Sequence, residues 1–106
     1  MILYNVTVSV DAASEKDWLQ WMKESHLPEI LATGHFVEAK IARILAEEQG
    51  GKAYSVQYFA HSMEAYEAYE KDHAPRLRAD HQEKFGARTA AFRTLLHVIH
   101  QADGQG

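Results

Sequence analysis

The 106-residue chain contains no cysteine, only two prolines and no long apolar run. The lack of cysteine excludes disulfides and thiolate chemistry and is compatible with a reducing compartment. No basic-then-apolar leader opens the chain, and its apolar runs are far shorter than a membrane span. We therefore expect a cytoplasmic protein that does not associate with a membrane.

Basic residues are also few: 11 Lys and Arg stand against 15 Asp and Glu, which gives a formal charge of −4 with the seven histidines neutral. Nucleic-acid-binding domains usually present a basic face, so we predict no nucleic-acid partner. A chain of this length buries only a modest core, and dimerisation would add to its stability. We expect a single domain over residues 1–99, followed by a flexible polar tail over residues 100–106.

Alternating apolar residues predict four strands, over residues 2–10, 35–45, 53–60 and 88–99. Helical periodicity predicts helices over residues 14–26, 28–33, 62–73 and 75–85. Ser62 is predicted to cap the helix at 62–73, which is expected to turn Met63, Tyr66, Tyr69 or Glu70, and His73 toward the core. Residues 46–52, "AEEQGGK", are predicted to form a hairpin turn with positive φ at Gly50 and Gly51.

Each proline lies two residues after a histidine, in His26-Leu27-Pro28 and His73-Ala74-Pro75. A proline inside a helix lacks the backbone donor, clashes with the preceding turn and moves the residue before it out of the α region. We therefore predict that a helix breaks at each histidine and that a new helix begins at the proline.

The element order β-α-β-β-α-β, with right-handed crossovers, predicts strand order 4-1-3-2 in an antiparallel sheet with the helices on one face. This is an α+β fold, the ferredoxin-like plait. The other sheet face has no helices yet still carries Leu3 and Phe59, which indicates a partner surface. We predict that two such faces pack together in a homodimeric α+β barrel. RNA-recognition domains share the strand order, but residues 53–60 lack their glycine-aromatic motif and the chain is acidic.

Three segments, "DWLQWMKESHLPEILATGHF", "YSVQYF" and "HAPRLRADHQEKFG", together resemble an uncharacterised bacterial family, a domain of unknown function. The likeness extends over residues 2–99. It implies a ferredoxin-like dimer of the dimeric α/β-barrel superfamily, whose members include cofactor-independent monooxygenases, isomerases, haem enzymes and stress-response proteins. It implies no particular activity for this chain, because the family has none established.

His26 and His73 are the candidate catalytic residues. Each lies at a predicted helix break, where an imidazole serves either as a general base at the edge of a helix-sheet pocket or as a cap for free carbonyls at the helix end. Arg76, with Arg78 beside it, is a candidate to hold a substrate anion, and the alternative is pairing with nearby carboxylates.

The candidate ligand-binding residues also include His81, between Leu77 and Phe85 on one helix stripe, and the aromatic residues Trp18, Tyr66 and Tyr69. The alternative for all four is packing in the core. No helix carries paired histidines at metal-binding spacing, so a metal site would need His26, His73 and His81 to meet in the fold, and we predict no metal.

The sequence therefore predicts a homodimeric, small-molecule-binding domain without a cofactor, its pocket near His26, His73 and Trp18. The alternative is a cofactor-independent enzyme, a monooxygenase or isomerase, with a histidine base and Arg76 as the anion holder. Both alternatives stay open at the level of the sequence.

Overall fold

A computed structural model of the chain describes residues 1–46 and 51–104. Four strands form one antiparallel sheet in the order β2-β3-β1-β4: β1 (Ile2–Asp11), β2 (Glu38–Arg43), β3 (Gly51–Ala60) and β4 (Thr89–His97). The predicted α+β plait and its strand order are confirmed. The second and fourth strands are shorter than predicted. Of the predicted hairpin turn, residues 47–50 lie outside the described residues, whereas Gly51 and Lys52 belong to β3.

The first helical segment runs without a break through α1 (Glu15–Trp21), a π-helical turn (Met22–His26) and α2 (Leu27–Ala32). The predicted break at Pro28 is therefore wrong, since Leu27 keeps helical angles, φ −62° and ψ −46°. The Leu27 N–H donates to the Met22 carbonyl five residues back. This wider turn, placed just before Pro28, accommodates the proline ring without ending the helix.

The second helical segment does break, between α3 (Met63–Asp72) and α4 (Ala74–Phe85). His73 leaves the helix with φ −128°, so this predicted break is confirmed. The Ser62 hydroxyl accepts the Ala65 N–H at 3.2 Å, which is the predicted N-cap. Met63 is 39% exposed rather than buried, because it is the first residue of α3 and the sheet-facing side is occupied by residues further along the helix.

The core lies between the helices and one face of the sheet. Its strand side comes from the residues of β1 and β3 that point toward the helices, and its helix side from one stripe of each helix. The main members are Tyr4, Val8, Val10, Val56, Tyr58, Trp18, Met22, Ile30, Tyr69, Leu77 and Phe85. In the described ranges, no helix has both the length and the apolar content needed to cross a membrane.

On the opposite face of the sheet, residues 1–46 and 51–104 place no helix. Leu96, Leu3 and Phe59 are direct neighbours across β4, β1 and β3, so they form one apolar row on this face. Leu96 is 43% exposed and Phe92, further along β4, is 63% exposed. We call this surface the open face.

Candidate functional site

A cavity of about 500 Å³ lies between α4 and the sheet, on the side toward β4. We call it the α4–β4 cavity. Much of its wall is apolar and comes from Val6, Val8, Met22 and Val56. Its polar lining comes from Tyr4, His26, Arg78, His81, Gln82 and Arg93. Apolar walls with a few convergent polar groups are typical of small-molecule sites.

Alternation along the strands explains how the polar groups reach this cavity. Tyr4 pairs with Leu95 of β4, and Val6 pairs with Arg93, so Arg93 points to the same face of the sheet as the core residues of β1. The helices cover β1 and β3 but leave the β4 edge of this face open. Arg93 therefore lies at the cavity with much of its side chain exposed.

Two arginines meet at one phenol. Arg78 Nη2 donates to the Tyr4 hydroxyl at 2.9 Å, and Arg93 Nε donates to the same oxygen at 3.0 Å. Arg78 also forms an ion pair with Glu70 at 2.5 Å. Among the described residues, no carboxylate lies within salt-bridge distance of Arg93. The cavity therefore holds two guanidinium charges: Glu70 balances that of Arg78, and no carboxylate of the described residues balances that of Arg93.

His26 is 7% exposed and lines the cavity. Its ring stacks on Trp21 with the centroids 4.6 Å apart, and Nδ1 has no hydrogen-bond partner among the residues that the structure describes. Burial, with a smaller contribution from His81, lowers the pKa of His26 from 6.5 to about 4. The imidazole is therefore neutral near pH 7. The predicted capping of free carbonyls loses its basis, because the helix continues past His26.

His81 lies with its ring centroid 5.9 Å from that of His26. Its Nε2 accepts the indole N–H of Trp18 at 3.0 Å, so the neutral ring carries its proton on Nδ1. Burial and the charge of Arg93 lower the pKa of His81. Trp18 itself is fully buried against Tyr54 and orients His81 from behind without lining the cavity.

The structure does not bring the other predicted site residues to this cavity. His73 packs beside His35 and Tyr69 at the corner between α3 and α4, and Arg76 is exposed there with Nη2 3.4 Å from the Nδ1 of His73. Pro75, at the same corner, does line the cavity, whereas His73 and Arg76 do not. His73 also does not join His26 and His81, and within the described ranges no group of three or more metal-ligating side chains assembles.

Tyr66 and Tyr69 pack against Tyr4 and Phe36 in an aromatic cluster under α3. Burial raises the pKa of Tyr69 and raises that of Tyr66 to about 12, so both keep their protons under ordinary conditions. These two residues pack against Tyr4 and lie outside the cavity lining. This position agrees with core packing, the alternative to ligand binding that the sequence left open.

Tyr4, Arg78 and Arg93 are the cavity residues that sequence reasoning missed as a group. The sequence did contain an indication for Arg93. It is a charged residue at a position of β4 where strand alternation turns the side chain toward the core. The meeting of α4 with β4 depends on tertiary packing, and spacing along the chain does not show it.

Fold and cavity together define a ferredoxin-like α+β domain with a pocket on the helix side of its sheet. The chain belongs to the family described as Domain of unknown function (DUF4286), whose model matches residues 1–99. The resemblance inferred from the sequence is confirmed. No curated protein is significantly similar to the chain in sequence.

Solved structures share the fold at low sequence identity. HapK from Hahella chejuensis has a TM-score of 0.73 at 11% identity, with 100% of both chains covered. A proposed antibiotic biosynthesis monooxygenase from Deinococcus radiodurans has a TM-score of 0.70 at 11% identity, again with 100% of both chains covered. A dimeric ferredoxin-like protein from an uncultured marine organism has a TM-score of 0.67 at 12% identity, covering 98% of this chain and 100% of its own.

Proposed function

We propose that the protein is a homodimer that binds a small molecule in the α4–β4 cavity of each chain. The observation that carries this proposal is the convergence of Tyr4, Arg78, Arg93 and two neutral histidines on one apolar-walled space of about 500 Å³. The absence of cysteine from the sequence is in keeping with a cytoplasmic location, which is part of the same proposal.

The open face supports the homodimer. Leu96, Leu3 and Phe59 form an apolar row in the absence of a covering helix, and large apolar groups on an open sheet favour a second layer. A second copy of the chain supplies the same row. The marine structural relative is described as dimeric, which gives a precedent for such an assembly on this fold.

The second candidate function is a cofactor-independent enzyme, a monooxygenase or isomerase. The observation that favours it is His26, a buried imidazole that lines the cavity and whose Nδ1 has no partner among the described residues. A neutral imidazole of this kind accepts a proton as a general base. In this alternative Arg78 and Arg93 take the anion-holding role first assigned to Arg76, and His73 is left without a role in the reaction. His26→Gln would abolish turnover of a substrate while the fold and the dimer persist.

The test of ligand binding is a fragment screen followed by backbone amide NMR. We expect fragments to shift the amide signals of Tyr4, Val6 and Arg93. Ala91→Trp, which fills the cavity from β4, would abolish these shifts. Ala87→Trp, an equal change at an exposed residue of the turn after α4, would preserve them. Fragment shifts that persist unchanged in Ala91→Trp would contradict the assignment of the site.

A further inference from the structure

We infer that the α4–β4 cavity takes a monoanionic carboxylate with an apolar body, its carboxylate held between Arg78 and Arg93. The inference rests on the proposed function, since it names the ligand class of the same cavity. Its basis is the charge balance of the lining, the donors left free on the two guanidinium groups and the character of the walls.

The charge balance requires one negative charge. Glu70 neutralises Arg78, and Arg93 has no carboxylate within salt-bridge distance in the described part of the chain. His26 and His81 add no positive charge near neutral pH, because burial lowers the pKa of both rings. The lining therefore has a net charge of about +1, which one carboxylate balances, whereas a dianionic phosphate would leave a surplus negative charge at a partly buried site.

The two guanidinium groups still have N–H donors to offer. Arg93 uses Nε for the Tyr4 hydroxyl, and its two terminal nitrogens have no bond to Tyr4. Arg78 uses Nη2 for both Tyr4 and Glu70. Because a guanidinium presents its donors as a planar fork, such free edges match the two oxygens of a carboxylate. Tyr4 holds both groups in place before any ligand arrives.

The remaining walls select an apolar body. Val6, Val8 and Val56 form the floor from the sheet, and Met22 adds a flexible side chain from the π-helical turn. A space of about 500 Å³ lies within the usual range of small-molecule pockets and has room for a bicyclic aromatic body. His81 also lines the cavity, and its ring is held by the bond that its Nε2 accepts from Trp18.

The test compares 2-naphthoate with 2-naphthamide by titration calorimetry near neutral pH. The two probes have the same shape and differ in charge. We expect naphthoate to bind at least about tenfold more tightly than naphthamide. Arg93→Gln should remove most of this preference, because it weakens the binding of the charged probe more than that of the neutral one. Arg93→Lys should restore only part of it, because the point charge remains while the fork is lost.

Arg76→Gln is the matched control, because it removes the same charge from an exposed position of α4 outside the cavity. It should keep the naphthoate preference of the wild-type protein. Equal affinity for the two probes, or an equal loss of the preference in Arg76→Gln and Arg93→Gln, would overturn the carboxylate assignment and leave small-molecule binding standing. Binding of neither probe would overturn both the assignment and the proposed function.

Discussion

At the residue scale, the two cavity histidines are neutral for related reasons but have different surroundings. His26 stacks on Trp21 and leaves Nδ1 without a partner among the described residues, whereas His81 has its Nε2 occupied by the Trp18 indole. His26 therefore keeps one nitrogen without a partner in the described part of the chain, and His81 has a fixed tautomer. A ligand would meet both rings on the helix side of the cavity, His26 from the π-helical turn and His81 from α4.

Burial of His26 makes stability depend on pH in a defined window. Above pH 6.5 the ring is neutral in both the folded and the unfolded chain. As the pH falls from 6.5 to about 4, only the unfolded chain takes up the proton, so the free energy of unfolding falls by about 3 kcal/mol. His26→Leu should remove most of this pH dependence in urea unfolding followed by circular dichroism.

The matched control for that experiment is His61→Leu, at an exposed histidine. It should keep the wild-type slope of stability against pH between 6.5 and about 4. A slope that is the same in wild type and His26→Leu would show that His26 is not the group responsible.

The bond from Trp18 predicts the tautomer of His81. Long-range ¹H–¹⁵N NMR of the imidazoles should show the proton on Nδ1 in the wild-type protein. Trp18→Phe removes the donor and should admit the Nε2–H tautomer, with a loss of about 2 kcal/mol in the free energy of unfolding. Trp21→Phe, which retains the Trp18 donor, should leave the tautomer unchanged. A wild-type His81 protonated on Nε2 would contradict the hydrogen bond.

At the element scale, two identical His-x-Pro spacings have different outcomes. Before Pro28 the chain inserts a π-helical turn and the helix continues, while before Pro75 it leaves the helix at His73. Local rules predict a break at both, because proline removes the same donor each time. The outcome depends on packing: His26 is buried against Trp21 and held in line with the helix, whereas His73 lies at a half-exposed corner.

The same distinction explains what the sequence predicted of the site. Strand alternation and helix stripes are local, so they identified the sheet order and led to His26 and His81. Tyr4, Arg78 and Arg93 come together from β1, α4 and β4, and their contact depends on how far α4 stands from the edge strand. Arg76 and Arg78 lie two residues apart in α4, and the sequence does not distinguish them. Of the two, only Arg78 lines the cavity.

The N-cap of α3 gives a prediction at this scale. Ser62→Ala removes the acceptor for the Ala65 N–H and should lower the free energy of unfolding by about 1 kcal/mol. Ser62→Asp supplies another acceptor and should retain most of the stability. Denaturant midpoints of the three proteins measure this, and an Ala variant as stable as wild type would show that the cap contributes nothing.

At the scale of the whole molecule, the two faces of the sheet have different tasks. The helix side holds the core and the α4–β4 cavity, and the open face presents an apolar row without a cover. If the open face is the dimer interface, the two cavities lie on the outer sides of the assembly and remain accessible to ligands. Dimerisation and ligand binding can then be disturbed separately.

A charge on the apolar row should dissociate the dimer. Leu96→Glu introduces a carboxylate beside Leu3 of the same row, and burying it against a second copy would be strongly unfavourable. Light scattering should give a dimer mass for wild type and a monomer mass for the variant. Ala87→Glu, which adds the same charge at an exposed residue of the turn after α4, should remain dimeric. A monomer mass for the wild-type protein would contradict the proposed homodimer.

The measurement that tests the central claim most directly is native mass spectrometry of the wild-type protein and Ala91→Trp in the presence of 2-naphthoate. The account predicts a mass of two chains carrying up to two naphthoate molecules for wild type, and the same dimer without naphthoate for Ala91→Trp. Equal naphthoate occupancy in the two proteins, or no binding to wild type, would contradict a ligand site between α4 and β4.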